Sequence, residues 1–325
     1  MVSNRFRRKL IIQKIQIRTS YPRFTLKKNS ATLNSVSGLT CSTMCELLGM
    51  NCATPTDINF SFSGFAQRSG ITGDHADGFG IAFFEHKACR LFVDIEAACK
   101  SPIAQMIRHY PIKSRNVIAH IRKATQGATC LENVHPFMRE LWGRHWIFAH
   151  NGDLREFYPA LCGAFQPVGT TDSERAACLV FQHLRETFGC NEPEPAQIFE
   201  ALSVIAPQIA EYGTFNFLLS NGHSLYAFAT TKLHWIVREY PFAHAHLIDI
   251  DMSIDFSDYT TPDDRVAVIA TEPLTDNEQW TAFERGQLIW FQDGKIERTL
   301  TTDASRFAAP TLPYEQTAQA DSTSS

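Results

Sequence analysis

Three short strings place reactive side chains at the ends of apolar runs. Cys45 stands between Met44 and the run ELLGM. Arg122 ends the run NVIAHIR, and Asn151 and Gly152 follow HWIFAH. A cysteine can act as a nucleophile, a charge at the end of an apolar strand must find a partner or an opening, and an asparagine amide beside an unobstructed N–H offers two oxyanion donors. Each string alone also has a structural explanation: a small core cysteine, a surface arginine and an Asn-Gly turn.

Three further strings allow a structural or a functional interpretation. In TDSE, Thr171 and Glu174 form the pattern of a capping box, yet Asp172 in the first helical turn could face a ligand ammonium. NVHPF offers His135, which could be a satisfied loop histidine. DGFG, which begins at Asp77, reads most simply as a glycine-supported turn into a strand.

The elements that must position these residues are mixed strands and helices. Apolar runs predict strands at 45–50, 78–86, 116–122, 145–150, 214–220, 224–230, 233–238, 265–271 and 287–292, the last followed by an Asp-Gly hairpin and KIERTL. Helical periodicity predicts helices at 57–68, 101–110, 172–188 and 195–212, with Gly189 ending the third. Strands in two clusters with helices between them predict an α+β architecture of two packed sheets covered by helices.

Taken in chain order, MCELLGM, DGFG, HIRKAT, NVHPF, HNGDL and TDSE resemble the class II glutamine amidotransferases, which are N-terminal nucleophile hydrolases. ENVHPFMRELWGRHWIFAHNG (132–152) and PVGTTDSE (167–174) are similar to the YafJ-type subgroup. The likeness runs from Met44 to about Leu300. It implies a four-layer αββα sandwich of two mostly antiparallel sheets.

The resemblance implies that the chain uses its own terminal residue for catalysis. Cys45 would be the nucleophile that forms a γ-glutamyl thioester, and its free α-amine would be the base, since such an amine has an ordinary pKa of about 7.7–8.0. Asn151 and the backbone N–H of Gly152 would form the oxyanion hole. Because an amide nitrogen has no basic lone pair, residues 1–44 must then be absent from the mature protein.

The same resemblance assigns the substrate pocket. Arg122 would hold the α-carboxylate of the substrate, for which a guanidinium fork is suited. Asp172 would meet the α-ammonium, and Thr125 and His135 match further pocket positions. One departure is Glu46, which stands where many class II members have glycine after the nucleophile.

The distribution of charge along the chain limits what the N-terminal leader and the rest of the chain could bind. Residues 1–44 carry nine Lys or Arg and no acid, whereas the rest of the chain carries 21 basic and 34 acidic residues. The leader is therefore expected to be a misassigned start, a propeptide or a presequence, and nucleic-acid binding is not expected of the acidic body. Residues 45–300 are predicted to form the glutamine amidotransferase domain, and residues 301–325 a disordered tail.

No membrane, metal or cofactor is expected. No apolar run approaches the roughly 20 residues that cross a bilayer. Nine dispersed cysteines without a CxxC pair favour the reducing cytoplasm. His145 and His150 should face opposite sides of a strand, and His244 and His246 have no acid nearby before Asp249.

The leading hypothesis is a stand-alone amidohydrolase that cleaves the side-chain amide of glutamine or of a related γ-glutamyl compound. Two alternatives remain open from the sequence. The chain could be a glutaminase subunit that delivers ammonia to a separate synthetase partner. It could also be a non-catalytic γ-glutamyl binding module, if the leader persists.

Overall fold

Two antiparallel sheets make up the centre of the molecule. The computed structural model describes residues 45–110, 112–123, 127–258 and 260–308. The first sheet has the order β13 (Thr281–Ala282), β9 (His234–Glu239), β12 (Arg265–Ala270), β1 (Glu46–Asp57), β4 (Lys113–Ile121), β2 (Phe79–Glu85) and β3 (Ala88–Asp94). The second has the order β15 (Lys295–Thr301), β14 (Gln287–Gln292), β8 (Ser224–Ala229), β7 (Gly213–Ser220), β6 (Arg144–Leu154) and β5 (Phe137–Leu141).

Helices cover both outer faces. The described helices are α1 (Asn59–Gln67), α2 (Pro102–His109), α3 (Asp172–Phe188) and α4 (Pro195–Ala210), and a short ribbon joins β10 (His244–His246) to β11 (Ser253–Asp255). Side chains of α1 and α2 share one apolar cluster with the first sheet, and those of α3 and α4 share another with the second. None of these four helices is long and apolar enough to cross a membrane.

A third apolar cluster lies between the sheets, and we call this space the inter-sheet layer. Because strand side chains alternate, Leu47 of β1 enters this layer while Leu48 packs against the helices outside it. Leu218 of β7 meets it from the opposite sheet. Each buried side chain of this size stabilises the fold by about 1.5–3 kcal/mol. The predicted αββα sandwich of mostly antiparallel sheets is thereby confirmed.

Local signals account for α3. It spans the predicted 172–188, and Thr171 Oγ1 accepts a hydrogen bond from the Glu174 N–H at 3.2 Å as N-cap. Gly189 ends the helix with a φ of 65°, which glycine adopts without strain. The second half of the capping box is different: the Glu174 carboxylate accepts bonds from the N–H groups of Val168 and Gly169 instead.

Other predictions need correction in detail. Asn151 and Gly152 do not form a turn but continue β6 to Leu154. The edge strands β3 and β5 were not predicted, because ACRLFVD and FMREL mix charged with apolar residues. The chain also packs beyond residue 300: Phe307 is buried, and the Ala308 N–H donates to the Ala210 carbonyl at 3.2 Å. Residues 1–44 and 309–325 lie outside the described residues.

Candidate active site

One end of the inter-sheet layer is polar, and Cys45 lies there. Cys45 immediately precedes β1, whose first residue, Glu46, pairs with Ile121 at the end of β4. Arg122 is the next residue of the chain after Ile121. Asn151 reaches the same place from β6 of the other sheet, because its Nδ2 donates to the Cys45 carbonyl at 2.5 Å. The two sheets therefore bring these side chains together.

The Cys45 thiol is held by the backbone of Lys123. Its Sγ accepts from the Lys123 N–H at 3.2 Å and lies 3.3 Å from the Lys123 carbonyl. Burial raises the pKa of this thiol to about 11, although the Lys123 N–H and the charge of Arg122 act in the opposite direction. At that pKa, roughly one thiol in 10⁴ is ionised at neutral pH. The sulfur therefore needs a base before it can attack.

Asn151 is fixed by Thr271, a residue that belongs to none of the six sequence motifs. Besides the Cys45 carbonyl, Asn151 Nδ2 donates to Thr271 Oγ1 at 3.1 Å. The same hydroxyl oxygen accepts from the Leu47 N–H at 2.9 Å, and the Thr271 N–H returns a bond to the Leu47 carbonyl at 3.1 Å. Asn151 Oδ1 is buried without a hydrogen-bond partner among the described residues. The amide thus lies within bonding distance of the residue that carries the thiol.

Gly152 occupies a position that no side chain fits. A Cβ built there would lie 1.9 Å from the Thr214 carbonyl oxygen and 2.5 Å from His150 Nε2. The carbonyl belongs to the neighbouring strand β7, which is paired with β6 at Gly152 and Phe215. A glycine is therefore required to let the two backbones approach.

Arg122 is buried just past the end of β4, with 2% of its surface exposed. Its guanidinium donates to the carbonyls of Gly127 and Ala128, both at 3.1 Å, and so holds the following loop. It lies near enough to Cys45 to lower the pKa of the thiol. Thr125, the predicted pocket residue of this loop, lies outside the described residues.

Asp172 supplies a buried carboxylate at the first turn of α3. One oxygen accepts from the Leu154 N–H at 2.8 Å, which ties the start of the helix to the end of β6. The N-terminal end of a helix favours a negative charge. The carboxylate is close enough to Cys45 to oppose ionisation of the thiol. Arg122 and Asp172 thus place opposite charges near the same sulfur.

His135 packs into a buried histidine pair rather than a loop surface. Its ring centroid lies 4.1 Å from that of His120 and 4.4 Å from that of Phe137. Neither ring nitrogen of His135 has a hydrogen-bond partner among the described residues. Burial lowers the pKa of both rings well below the ordinary value, and Arg122 acts in the same direction. Both imidazoles are therefore neutral at pH 7.

The described residues contain no group of three or more His, Cys, Asp or Glu side chains arranged to hold a metal ion. His246 pairs with Asp276 at 3.0 Å and lies 3.5 Å from Asp251. His150 bonds Ser173 Oγ at 2.8 Å and the Thr214 carbonyl at 3.1 Å.

Comparisons with known proteins point to one family. The family described as "Glutamine amidotransferases class-II" matches residues 44–313. A Haemophilus influenzae protein named "Putative glutamine amidotransferase" is 52% identical over 260 residues, which are 80% of this chain and 88% of that protein. "Putative glutamine amidotransferase YafJ" of Escherichia coli K12 is 50% identical over 244 residues, which are 75% of this chain and 96% of that protein.

The solved structures include a similar fold. A crystal structure of a "predicted glutamine amidotransferase" from Pseudomonas aeruginosa PA01 matches with a TM-score of 0.63 and 42% sequence identity. The match covers 78% of this chain and 100% of the other.

Proposed function

Because the chain belongs to the class II glutamine amidotransferases, we propose that it hydrolyses the side-chain amide of glutamine or of a related γ-glutamyl compound, with Cys45 as nucleophile. The observation that carries the proposal is the meeting of one thiol, one amide donor and two opposite charges at the same end of the inter-sheet layer. Asn151 bonds the carbonyl of Cys45, and Arg122 and Asp172 both act on its thiol.

The first chemical step forms a thioester. The Cys45 thiol gives its proton to the α-amine of the same residue, and the sulfur bonds to the amide carbon of the substrate. The carbonyl oxygen becomes an anion, which the Gly152 N–H and the Asn151 side-chain amide stabilise as donors, the amide giving up its bond to the Cys45 carbonyl. The carbon–nitrogen bond then breaks, the α-ammonium returns its proton to the nitrogen, and ammonia or an amine leaves.

The second step releases the acid. A water molecule gives a proton to the α-amine, and its oxygen attacks the thioester carbon. The carbon–sulfur bond breaks, the sulfur takes the proton back, and glutamate or its analogue leaves. Each step uses the same amine as base and then as acid.

This mechanism requires that Cys45 be the first residue of the mature chain. A thiol with a pKa of about 11 needs a base, and the neighbouring α-amine becomes available only when residues 1–44 are gone. The family match begins at Met44, one residue before the thiol, which supports a working chain that starts at Cys45.

Charge placement supports a substrate with a free α-carbon end. A guanidinium at Arg122 suits an α-carboxylate, and a carboxylate at Asp172 suits an α-ammonium. We therefore expect glutamine and γ-glutamyl amides with both groups free to be cleaved. A substrate whose α-carboxylate is esterified loses its contact with Arg122, and one whose α-amine is acylated loses its contact with Asp172.

The test compares glutamine with N-acetylglutamine and with the glutamine α-methyl ester in an ammonia-release assay. We expect release from glutamine and a loss of kcat/KM of at least about 10²-fold for each blocked compound, since each loses a charge-assisted contact and must fit extra atoms. Equal rates on all three compounds would contradict the assignment of Arg122 and Asp172. No release from glutamine or any γ-glutamyl amide by a chain that starts at Cys45 would contradict the function itself.

A further inference from the structure

Glu46, the residue after the nucleophile, turns its side chain away from the active site. It shares a face of β1 with Leu48, which packs against the outer helices, and not with Leu47 of the inter-sheet layer. Its carboxylate is buried, with 2% of the residue exposed, and it lies 3.2 Å from Arg68 Nη1. The residue that follows the nucleophile therefore makes a buried ion pair on the other side of the sheet.

Arg68 joins Glu46 to two other segments of the chain. It follows α1 as the C-cap residue, and its Nε donates to Asp249 at 2.8 Å in the segment after β10. Its two terminal nitrogens also donate to the carbonyls of Glu272 and Pro273, at 3.1 and 2.5 Å. One guanidinium thus fixes the first residue of β1 and the two residues that follow Thr271.

Thr271 carries that connection back to the active site. Its hydroxyl accepts from the N–H of Leu47, the residue after Glu46, and from Nδ2 of Asn151. Asn151 in turn bonds the Cys45 carbonyl. The contacts form a closed circuit around the edge of the sheet: nucleophile, Glu46, Arg68, the 271–273 segment, the oxyanion donor, and the nucleophile again.

We propose that Glu46 and Arg68 are positioning residues, which set the distance between the Cys45 sulfur and the Asn151 amide through the segment 271–273. The inference rests on the proposed function for its catalytic meaning. Neither side chain touches the substrate in this account. Each acts through the backbone that it holds.

The energetics indicate that this pair is not kept for stability alone. Burial raises the pKa of the Glu46 carboxyl to about 7, even though Arg68 attracts its charge, and the carboxylates of Glu272 and Asp249 push in the same direction as burial. Well-packed apolar residues in place of a buried ion pair are often neutral or stabilising. A polar circuit that costs desolvation energy and ends at a nucleophile is best explained by the geometry that it imposes.

The test uses Glu46→Gln, which keeps the shape of the side chain and removes its charge. The matched control is Glu278→Gln, because Glu278, in the loop between β12 and β13, also makes a buried ion pair, with Arg238 of β9 at 2.6 Å. In the strand register, Arg238 of β9 lies opposite Val266 of β12, and Val266 is four residues before Ala270 at the end of that strand. Both variants are expressed from the full-length gene, and their intact masses establish that they begin at the same residue as the wild type.

Two readings are taken on each variant. The first is the kcat and KM for glutamine: we expect Glu46→Gln to lower kcat by about 10-fold or more with KM within about 2-fold, and Glu278→Gln to change neither. The second is amide hydrogen exchange at Leu47 and Thr271, whose N–H groups bond within the circuit. We expect exchange there to be at least about 10-fold faster in Glu46→Gln and unchanged in the control.

The two readings separate the positioning proposal from the proposed function. Wild-type exchange rates at Leu47 and Thr271 in Glu46→Gln would overturn the positioning role whether or not glutamine is hydrolysed. Equal losses of kcat in both variants would also overturn it, because loss of any buried ion pair would then suffice. If the wild type releases no ammonia, the proposed function fails, and the exchange rates still decide whether Glu46 positions this segment.

Discussion

The inter-sheet layer is polar at both ends, but the two ends are built differently. At the end opposite Cys45, Asn51 and Asn116 bond each other across β1 and β4 at 3.0 Å. Their remaining amide atoms bond the carbonyls of Gly222 and His223 and the N–H of Gly294, in turns of the other sheet. Every side-chain nitrogen and oxygen of these two asparagines therefore has a partner.

The Cys45 end has buried polar atoms that are not satisfied in the same way. Asn151 Oδ1 and the ring nitrogens of His135 have no hydrogen-bond partner among the described residues. Leaving a buried donor or acceptor unpaired costs about 1–3 kcal/mol. The difference teaches that the asparagine pair at one end locks the sheets together with every amide atom bonded, whereas the Cys45 end leaves a buried acceptor of Asn151 without an internal partner in the described part of the chain.

The largest expected effect distinguishes Cys45, which immediately precedes β1, from Cys52 within that strand. Cys45→Ala should lower ammonia release from glutamine by at least about 10⁴-fold, because no other group would supply the nucleophile. Cys52→Ala, which removes a thiol from the outer apolar cluster, should leave kcat unchanged. Steady-state kinetics on both variants decide the matter. Residual turnover in Cys45→Ala close to that of Cys52→Ala would exclude Cys45 as the nucleophile.

The next effect concerns close backbone packing. Gly152→Ala should lower the free energy of unfolding by more than about 4 kcal/mol, because its Cβ would lie 1.9 Å from a backbone carbonyl. Gly49→Ala, in the apolar middle of the layer, should cost only about 1–3 kcal/mol, since the nearest atoms are methyl groups of Leu218 and Leu225 at 3.0 and 3.2 Å. Urea unfolding measures both, and a larger loss for Gly49→Ala would contradict the geometry described for Gly152.

Two asparagines sharpen the comparison between the ends of the layer. Asn151→Ala should lower kcat by about 10²–10³-fold with little change in KM, if its amide stabilises the oxyanion. Asn116→Ala should lower stability and leave kcat unchanged, because its amide only joins the sheets. Kinetics and thermal unfolding are measured on both variants. An unchanged kcat in Asn151→Ala would remove its assignment as oxyanion donor.

The smallest of these effects is on substrate binding. Arg122→Ala should raise KM for glutamine by about 10- to 100-fold, which corresponds to the loss of a charged hydrogen-bonded contact. Arg238→Ala, which removes another buried arginine from the same sheet, should lower stability without changing KM. If Arg122→Ala lowers kcat alone and leaves KM at the wild-type value, Arg122 does not hold the substrate carboxylate.

Much of the fold could be predicted because its signals are local. The apolar strands and the cap of α3 are visible in consecutive residues, as the agreement of Thr171 and Gly189 with the observed ends of that helix shows. Edge strands such as β3 escaped because none of the residues of β3 is fully buried, and charged residues interrupt its apolar pattern.

The candidate site was only partly predictable for a related reason. The motif strings identified Cys45, Arg122, Asn151 and Asp172, and the structure brings them together. Thr271 carries no local signal, since its partner Asn151 is 120 residues away in the chain. A threonine after an apolar strand looks like any strand end until the two sheets are packed.

The central claim is that the amine and the thiol of one terminal residue share the cleavage of an amide. Its most direct test compares ammonia release from glutamine by a chain that begins at Cys45 with release by a chain that retains residues 1–44, with intact mass measured before and after each assay. The account predicts release by the first chain and none by the second. Release at the same rate by a chain that still carries its leader at the end of the assay would contradict it.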